Sequence, residues 1–163
     1  MIEDERDART LKPEVADGFD AVYVRERQAM LRVAYLIVGS VESAEDVVHE
    51  AFIALHRHWD DVDNPGGYLR RTVINRSLSW QRNRRVEERH LLRHDGVAAS
   101  SPGPTEPLWE LLLQLPVAQR TALVLVNYLD LSSEMAAQQR GCRPSTVRSL
   151  VRRGISTLRK ELQ

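Results

Sequence analysis

Apolar side chains recur at helical spacing along most of this chain, and short clusters of Gly, Pro, Asp and Asn interrupt them. The first periodic stretch uses Phe19, Val22, Tyr23, Met30, Leu31, Ala34, Tyr35 and Val38. It predicts a helix from about Asp20 to Val38, stopped by Gly39. Ser43 then reads as an N-cap, with Asp46 in the acidic position of a capping box. The helix that follows, Ala44 to about Arg57, offers Val47, Val48, Ala51, Phe52 and Leu55 as a stripe to bury. After a turn over Asp60–Gly67, a third helix carries Tyr68, Leu69, Val73, Ile74 and Leu78 on one side. Arg93–Pro107 holds two Gly, three Pro and two Ser with few large apolar residues, and reads as a linker. Helical spacing resumes at Glu106 or Leu108 with Trp109, Leu112, Leu113 and Leu115. Pro116 breaks it, and a further helix is expected around Val117–Tyr128. The strand-like run Val124–Val126 lies inside that helical context, which should override it.

The last stretch, Leu131–Gln163, reads as helix, tight turn, helix. An apolar-periodic segment around Ser133–Arg140 meets Gly141-Cys142-Arg143-Pro144, and a basic helix is expected from Ser145, with Ser145 and Thr146 available as caps. Val147, Val151, Ile155 and Leu158 share one face of that helix, while Arg148, Arg152, Arg153, Arg159 and Lys160 stand without an acid among them from Pro144 to Lys160. In a helix-turn-helix the second helix lies in the major groove, its polar face toward phosphates and base edges. An amphipathic C-terminal helix with a solvated basic side would show the same pattern.

Charge distribution sharpens the picture. Net charge is zero, yet residues 1–60 carry thirteen acids against seven Lys or Arg. Residues 61–92 carry four acids against seven Arg, and residues 108–163 carry four against eight Arg or Lys. Such a chain can offer an acidic surface to a protein and two basic surfaces to a polyanion. Residues 1–17 are charged, poor in large apolar groups and expected to form a tail. No apolar run approaches the roughly 18–20 residues that span a bilayer, so no membrane insertion is expected. The N-terminus does not read as a secretory signal, and the single Cys142 fits a reducing cytoplasm. His90 and His94 lack a third ligand at zinc-like spacing, and Asp60, Asp61 and Asp63 lack the alternation of a calcium loop. No glycine-rich phosphate cradle or nucleophile elbow is present, so neither cofactor, metal nor enzymatic activity is expected.

Two blocks carry a resemblance. AEDVVHEAF at Ala44–Phe52 and NPGGYLRRTVINRSLSWQRNRR at Asn64–Arg85 form the first; LPVAQRTALVLVNYLDLSSEMAAQQRGCRPSTVRSLVRRGISTLRKEL at Leu115–Leu162 forms the second. In this order, with a Pro/Gly-rich linker between them, they resemble the bacterial extracytoplasmic-function (ECF) RNA polymerase sigma factors, in particular the short actinobacterial type. The likeness covers roughly residues 19–92 and 108–162. It implies an all-α fold of two small helical domains joined by a flexible linker. Residues 1–18 would be a tail, 19–92 a region 2-like domain that binds core polymerase and reads and melts the −10 element, and 93–107 the linker. Residues 108–163 would be a region 4-like helix-turn-helix domain for the −35 element.

By this resemblance Glu45, Asp46, His49, Glu50 and Phe52 correspond to the polymerase-docking helix, with His49 where the family usually has Gln. Asn75 matches a frequent Asn, and Arg70, Arg71, Arg76, Arg82, Arg84 and Arg85 sit in or beside the −10 reader. Tyr68 and Trp80, aromatic groups amid arginines, suit a grip on unstacked bases; the alternative makes Tyr68 a core residue, the better fit for it, and Trp80 a cap on the bundle. In the second block Thr146, Arg148, Ser149 and Arg152 are candidates for base edges or phosphates, Arg153 for a phosphate clamp, and Arg120 for gripping backbone or tying helices together. Met135, Ala136, Arg140, Leu150 and Gly154 depart from the family pattern and suggest a weakened second core. The implied partners are core RNA polymerase, promoter DNA and an anti-sigma factor. A one-component helix-turn-helix regulator and a degenerate sigma-like scaffold are the rival readings.

Overall fold

A computed structural model describes residues 18–91 and 107–163, with the side chains of 89–91 left out; the expected tail and nearly all of the expected linker lie outside the described residues. Every regular element among the described residues is helical. We number them α1 Phe19–Val38, α2 Val41–Arg57, α3 Pro65–Leu91, α4 Pro107–Gln114, α5 Val117–Leu123, α6 Ser133–Arg140 and α7 Pro144–Glu161. A short 3₁₀ turn, Trp59–Asp61, precedes α3, and a π turn, Val124–Tyr128, continues α5.

The ends of these helices follow from their punctuation. Gly39 closes α1 at φ 80°, its N–H donating to the Tyr35 carbonyl, a left-handed cap that costs glycine nothing. The next helix starts three residues earlier than Ser43 predicts. Ser40, directly after the glycine, takes the extended cap conformation and its hydroxyl accepts from the Ser43 N–H at 3.4 Å. Asn64 does the same for α3, accepting from Gly67 N–H at 2.8 Å. Pro65 thereby becomes the first helical residue, and Gly66 and Gly67 lie inside the helix rather than in the turn. The basic C-terminal helix also begins one residue early: Pro144 sits at its start, and no side chain caps it. Gly141 at φ 68° makes the expected turn between α6 and α7.

Helices α1, α2 and α3 form one bundle and α5, α6 and α7 another, with α4 bridging toward α1. One continuous hydrophobic core joins them. Its centre is the end of α1, where six consecutive residues, Val33–Val38, are all buried. A one-sided amphipathic helix buries only a stripe, so this segment must be covered on both sides. Helices α2 and α3 cover one side, and α4, α5 and the π turn cover the other.

Gly154 of α7 is buried where α7 crosses α5. A Cβ at that position would lie 2.7 Å from Leu123 Cδ1 and 3.2 Å from its Cγ. The glycine thus permits a close helix crossing, and the expectation that it weakens the second core is corrected. Arg140 likewise belongs to the packing. Its stem is half-buried and its guanidinium donates to the Ala118 carbonyl at 3.2 Å. Desolvation, with the nearby Arg85 adding to it, pushes the Arg140 pKa below its ordinary value against an opposing effect of Cys142.

Candidate nucleic-acid interface

Two helices present the basic surfaces. On α3 the buried positions Leu69, Val73, Ile74 and Leu78 leave Arg71, Asn75 and Arg82 exposed on a wet stripe. Arg82 donates to Ser79 Oγ at 3.0 Å. Arg84 lies over the Trp80 ring, 5.2 Å from its centroid, and pairs with Glu88 at 3.3 Å. Arg85 is exposed and Trp80 half-buried. The aromatic–cationic neighbourhood expected at this end of α3 is therefore assembled, with Trp80 supporting Arg84.

Tyr68 occupies the start of α3, half-buried, its ring 6.4 Å from the His58 ring. It lines an open cleft of about 550 Å³ with His58, Asp63, Asn64 and Arg71. That placement gives it a side toward the core and a side toward solvent. A flat aromatic beside a cation and amide groups at the mouth of such a cleft has the chemistry to hold an unstacked base.

On α7, Thr146, Arg148, Arg152 and Arg153 are exposed and Ser149 is half-buried. Val147 anchors the helix from the opposite side with no exposure at all. Arg148 and Arg152 border a groove of about 550 Å³ floored by Val126, Val151 and Ile155. Arg148 meets Glu134 of α6 at 3.4 Å, an exposed pair that aims the guanidinium without neutralising the face.

The acidic candidates lie on α2. Glu45, Asp46, His49 and Glu50 are exposed, and Glu45, Asp46 and His49 border a crevice shared with Tyr23 and Arg27 of α1. Phe52 differs from its four companions. It is only 4% exposed, its ring 4.7 Å from Tyr23 and 6.3 Å from Phe19. It backs the same crevice from below. Glu50 holds Arg76 of α3 at 2.7 Å, joining a polymerase candidate to a nucleic-acid candidate.

Two further candidates are not on a basic surface in this arrangement. Arg70 is partly buried and donates to the Leu129 carbonyl beyond α5; its Nε is buried without a hydrogen-bond partner. Arg120 is 5% exposed. It donates to the carbonyls of Leu36 at 2.8 Å, Ile37 at 3.2 Å and Leu113 at 3.3 Å. Desolvation lowers its pKa, with Tyr35 acting against that shift. Of the two roles its motif suggests, tying helices together is the one this packing serves. Sequence reasoning missed Gln81, which is buried and bonds Ile37 O at 2.6 Å and Thr121 Oγ1 at 2.9 Å. Its signal was a polar residue three positions after the buried Leu78, on the same helical face.

Comparison with known proteins identifies the family. Residues 22–86 match the model of Sigma-70 region 2, and residues 105–158 that of Sigma-70, region 4. An RNA polymerase sigma-E factor of Streptomyces avermitilis is 32% identical over 151 residues, covering 86% of this chain and 83% of the relative. An ECF RNA polymerase sigma factor, SigE of Mycolicibacterium smegmatis, is 31% identical over 89% of this chain and 62% of its own length. Among solved structures, the sigma factor RpoE of Bartonella quintana, in complex with the anti-sigma factor NepR, superposes with a TM-score of 0.64 at 23% identity, covering 88% of this chain and 96% of that one. CnrH, in complex with the cytosolic domain of CnrY, gives 0.53 at 21% identity, covering 91% of this chain and 92% of that one. This chain belongs to the sigma-70 family of RNA polymerase sigma factors, in its extracytoplasmic-function group, and is by that membership an alternative sigma factor for transcription initiation.

Proposed function

We propose that this sigma factor divides its work among three surfaces. The exposed acids of α2, Glu45, Asp46 and Glu50 with His49, dock on core RNA polymerase, and Phe52 keeps that surface rigid. Helix α3 reads and opens the −10 element with Arg71, Asn75, Arg76, Arg82, Arg84 and Arg85, Tyr68 and Trp80 gripping or backing bases taken out of the stack. Helix α7 anchors the −35 element through Thr146, Arg148, Ser149, Arg152 and Arg153. The corresponding units are residues 19–92 and 108–163, with 1–18 as a tail and 93–107 as the linker that lets two modest affinities act together on one duplex. The protein is non-catalytic and works in the cytoplasm, and an anti-sigma factor, of the kind bound to the Bartonella quintana relative, is a third partner.

The observation that carries this reading is the separation of charge on one small bundle. Exposed acids line α2, while an exposed row of arginine and asparagine lines α3. A protein partner and a polyanion can therefore be held at once without competing for the same side chains. The close packing at Gly154 and the seating of Arg140 also favour an intact second half over a degenerate one. The test is run-off transcription with purified core polymerase on a promoter library. Start sites that depend on this protein are the expected result. Stable core binding without any transcript would move the assignment to a scaffold.

A further inference from the structure

Late α3 faces the end of α1 and the start of α5 across a crevice of about 340 Å³, toward the lower end of the ~300–1,000 Å³ typical of small-molecule sites. Its charge is one-sided. Arg84, Arg85 and Arg120 line it, and Glu88, which pairs with Arg84 at 3.3 Å, is the only acid among the described lining residues. Arg85 makes no ion pair or hydrogen bond among the described residues. Arg120 is buried and meets only the neutral carbonyls of Leu36, Ile37 and Leu113. A guanidinium has five N–H donors, so these bonds leave one donor on Nη1 and one on Nη2 without an acceptor among the described residues. Gly39 keeps the Nη2 edge clear, since a Cβ there would lie 3.3 Å from it.

A buried cation without an opposite charge is costly to hold. Burial draws the pKa of Arg120 below its ordinary value. It does the same to Arg140, whose guanidinium donates to Ala118 O next to the crevice, and repulsion from Arg85 adds to that shift against the opposing effect of Cys142. An anion held between Arg85 and Arg120 would relieve the whole group, and a phosphate suits guanidinium donors best because it accepts two parallel charge-assisted bonds. The crevice also has a flat aromatic wall. Trp80 lines it half-buried, with Arg84 5.2 Å from its ring centroid and no other ring against it among the described residues. Leu113 and Val117 give the facing side an apolar surface. A planar base gains from such a wall by stacking, whatever its sequence identity.

We propose that this crevice is a binding site for a free mononucleotide, with the phosphates on Arg85 and Arg120 and the base against Trp80. Inorganic phosphate would satisfy the guanidiniums but leave the aromatic and apolar walls wet. A nucleotide uses both halves, and the crevice is small enough to favour one nucleotide over a strand. Trp80, Arg84 and Arg85 also belong to the proposed −10 surface, so an occupied crevice would weaken DNA capture by α3 while leaving α2 and α7 untouched. That consequence rests on the proposed function; the binding site itself does not.

The experiment uses the full chain and a fluorescently labelled ADP, followed by anisotropy at low salt. Unlabelled ADP, adenosine, inorganic phosphate and a short single-stranded DNA serve as competitors. Saturable binding is expected, displaced by ADP at concentrations about tenfold below those needed of adenosine or phosphate, because each of these carries only half of the recognised chemistry. Arg85→Gln should weaken binding about tenfold, as the loss of one hydrogen bond to a charged group does, and Trp80→Leu by a similar factor for the lost stacking. Arg57→Gln removes the same charge from an exposed site on α2 and should change binding little. Circular dichroism checks that the variants keep their helicity. Arg85→Gln decides the matter if Trp80→Leu loses it, because the Arg85 side chain is exposed. The proposal is overturned by an absence of saturable binding, by binding that Arg85→Gln leaves unchanged, or by phosphate competing as well as ADP. Displacement by the single strand but not by ADP overturns it too, and gives the crevice to the promoter. No readout involves polymerase, so failure here leaves the sigma-factor assignment to its own transcription test.

Discussion

Replacing Gly154 by Ala sets two effects of opposite sign against each other. Gly154 lies well inside α7, Pro144–Glu161. Helix propensity alone makes Ala better than Gly there by about 0.8–1 kcal/mol. The structure argues the other way, because the new Cβ would lie 2.7 Å from Leu123 Cδ1, 3.2 Å from Leu123 Cγ and 3.6 Å from Gln119 Cβ. Leu123 is 6% exposed, so it has little room to turn aside. Overpacking of this kind costs about 1–3 kcal/mol, and the net expectation is a destabilisation of roughly 1 kcal/mol. In a chain of this size that lowers Tm by about 2–4 °C. Urea and thermal unfolding followed by far-UV circular dichroism measure it. A double-mutant cycle with Leu123→Ala isolates the cause. Once the leucine is shortened, Gly154→Ala should become stabilising by about the propensity difference. A rise in Tm for Gly154→Ala in the wild-type background would refute the argument from close approach.

Two other perturbations address the proposed surfaces. Arg148→Ala with Arg152→Ala should weaken binding to a duplex carrying the cognate −35 element and reduce the slope of log affinity against log salt by up to about 1.8, or ~0.9 for each phosphate no longer neutralised. An unchanged slope would remove these arginines from the interface. Reversing charge on α2 with Glu45→Lys and Asp46→Lys should reduce core polymerase binding more than tenfold in gel filtration or anisotropy, with thermal stability within about 0.5 kcal/mol of wild type because both side chains are exposed. Retained core binding would place the docking surface elsewhere.

The sequence is legible where structure is written locally. Gly39, Gly141 and Pro144 mark helix ends through backbone chemistry that their neighbours cannot alter, and the four-and-three spacing of Val147, Val151, Ile155 and Leu158 predicts the buried side of α7. The errors come from local signals with close competitors. Ser43 and Ser40 are both reasonable caps, and only the conformation set by Gly39 selects Ser40. Long-range facts are out of reach for another reason. Nothing beside Arg120 in the chain shows that its guanidinium meets the end of a helix more than eighty residues earlier. Phe52 stands in the sequence both on the stripe to bury and among the acids of the docking motif, and the packing of Tyr23 and Phe19 against its ring bears out the first of these places. One long-range clue does stand in the sequence. The unbroken apolar run Val33–Val38 is too hydrophobic for a helix with a wet side, and announces a second partner.

The π turn Val124–Tyr128 gives the chain a rotational setting. Leu129 N–H bonds Val124 O at 2.9 Å, one residue farther back than an α-helix allows. Each residue added to or removed from a helix turns everything beyond it by about 100°. This wide turn thus acts like a dial between α5, which is fixed to α1, and the helix-turn-helix that follows. Deleting one residue from Val124–Tyr128 would restore ordinary helical pitch and leave α6 and α7 with their own contacts. It would also carry Leu129 O away from Arg70 and point α7 in a new direction. Because α7 also crosses α5 closely at Gly154, such a rotation would break that crossing too, so an insertion or deletion here disturbs the second bundle far more than a substitution on the exposed face of α7.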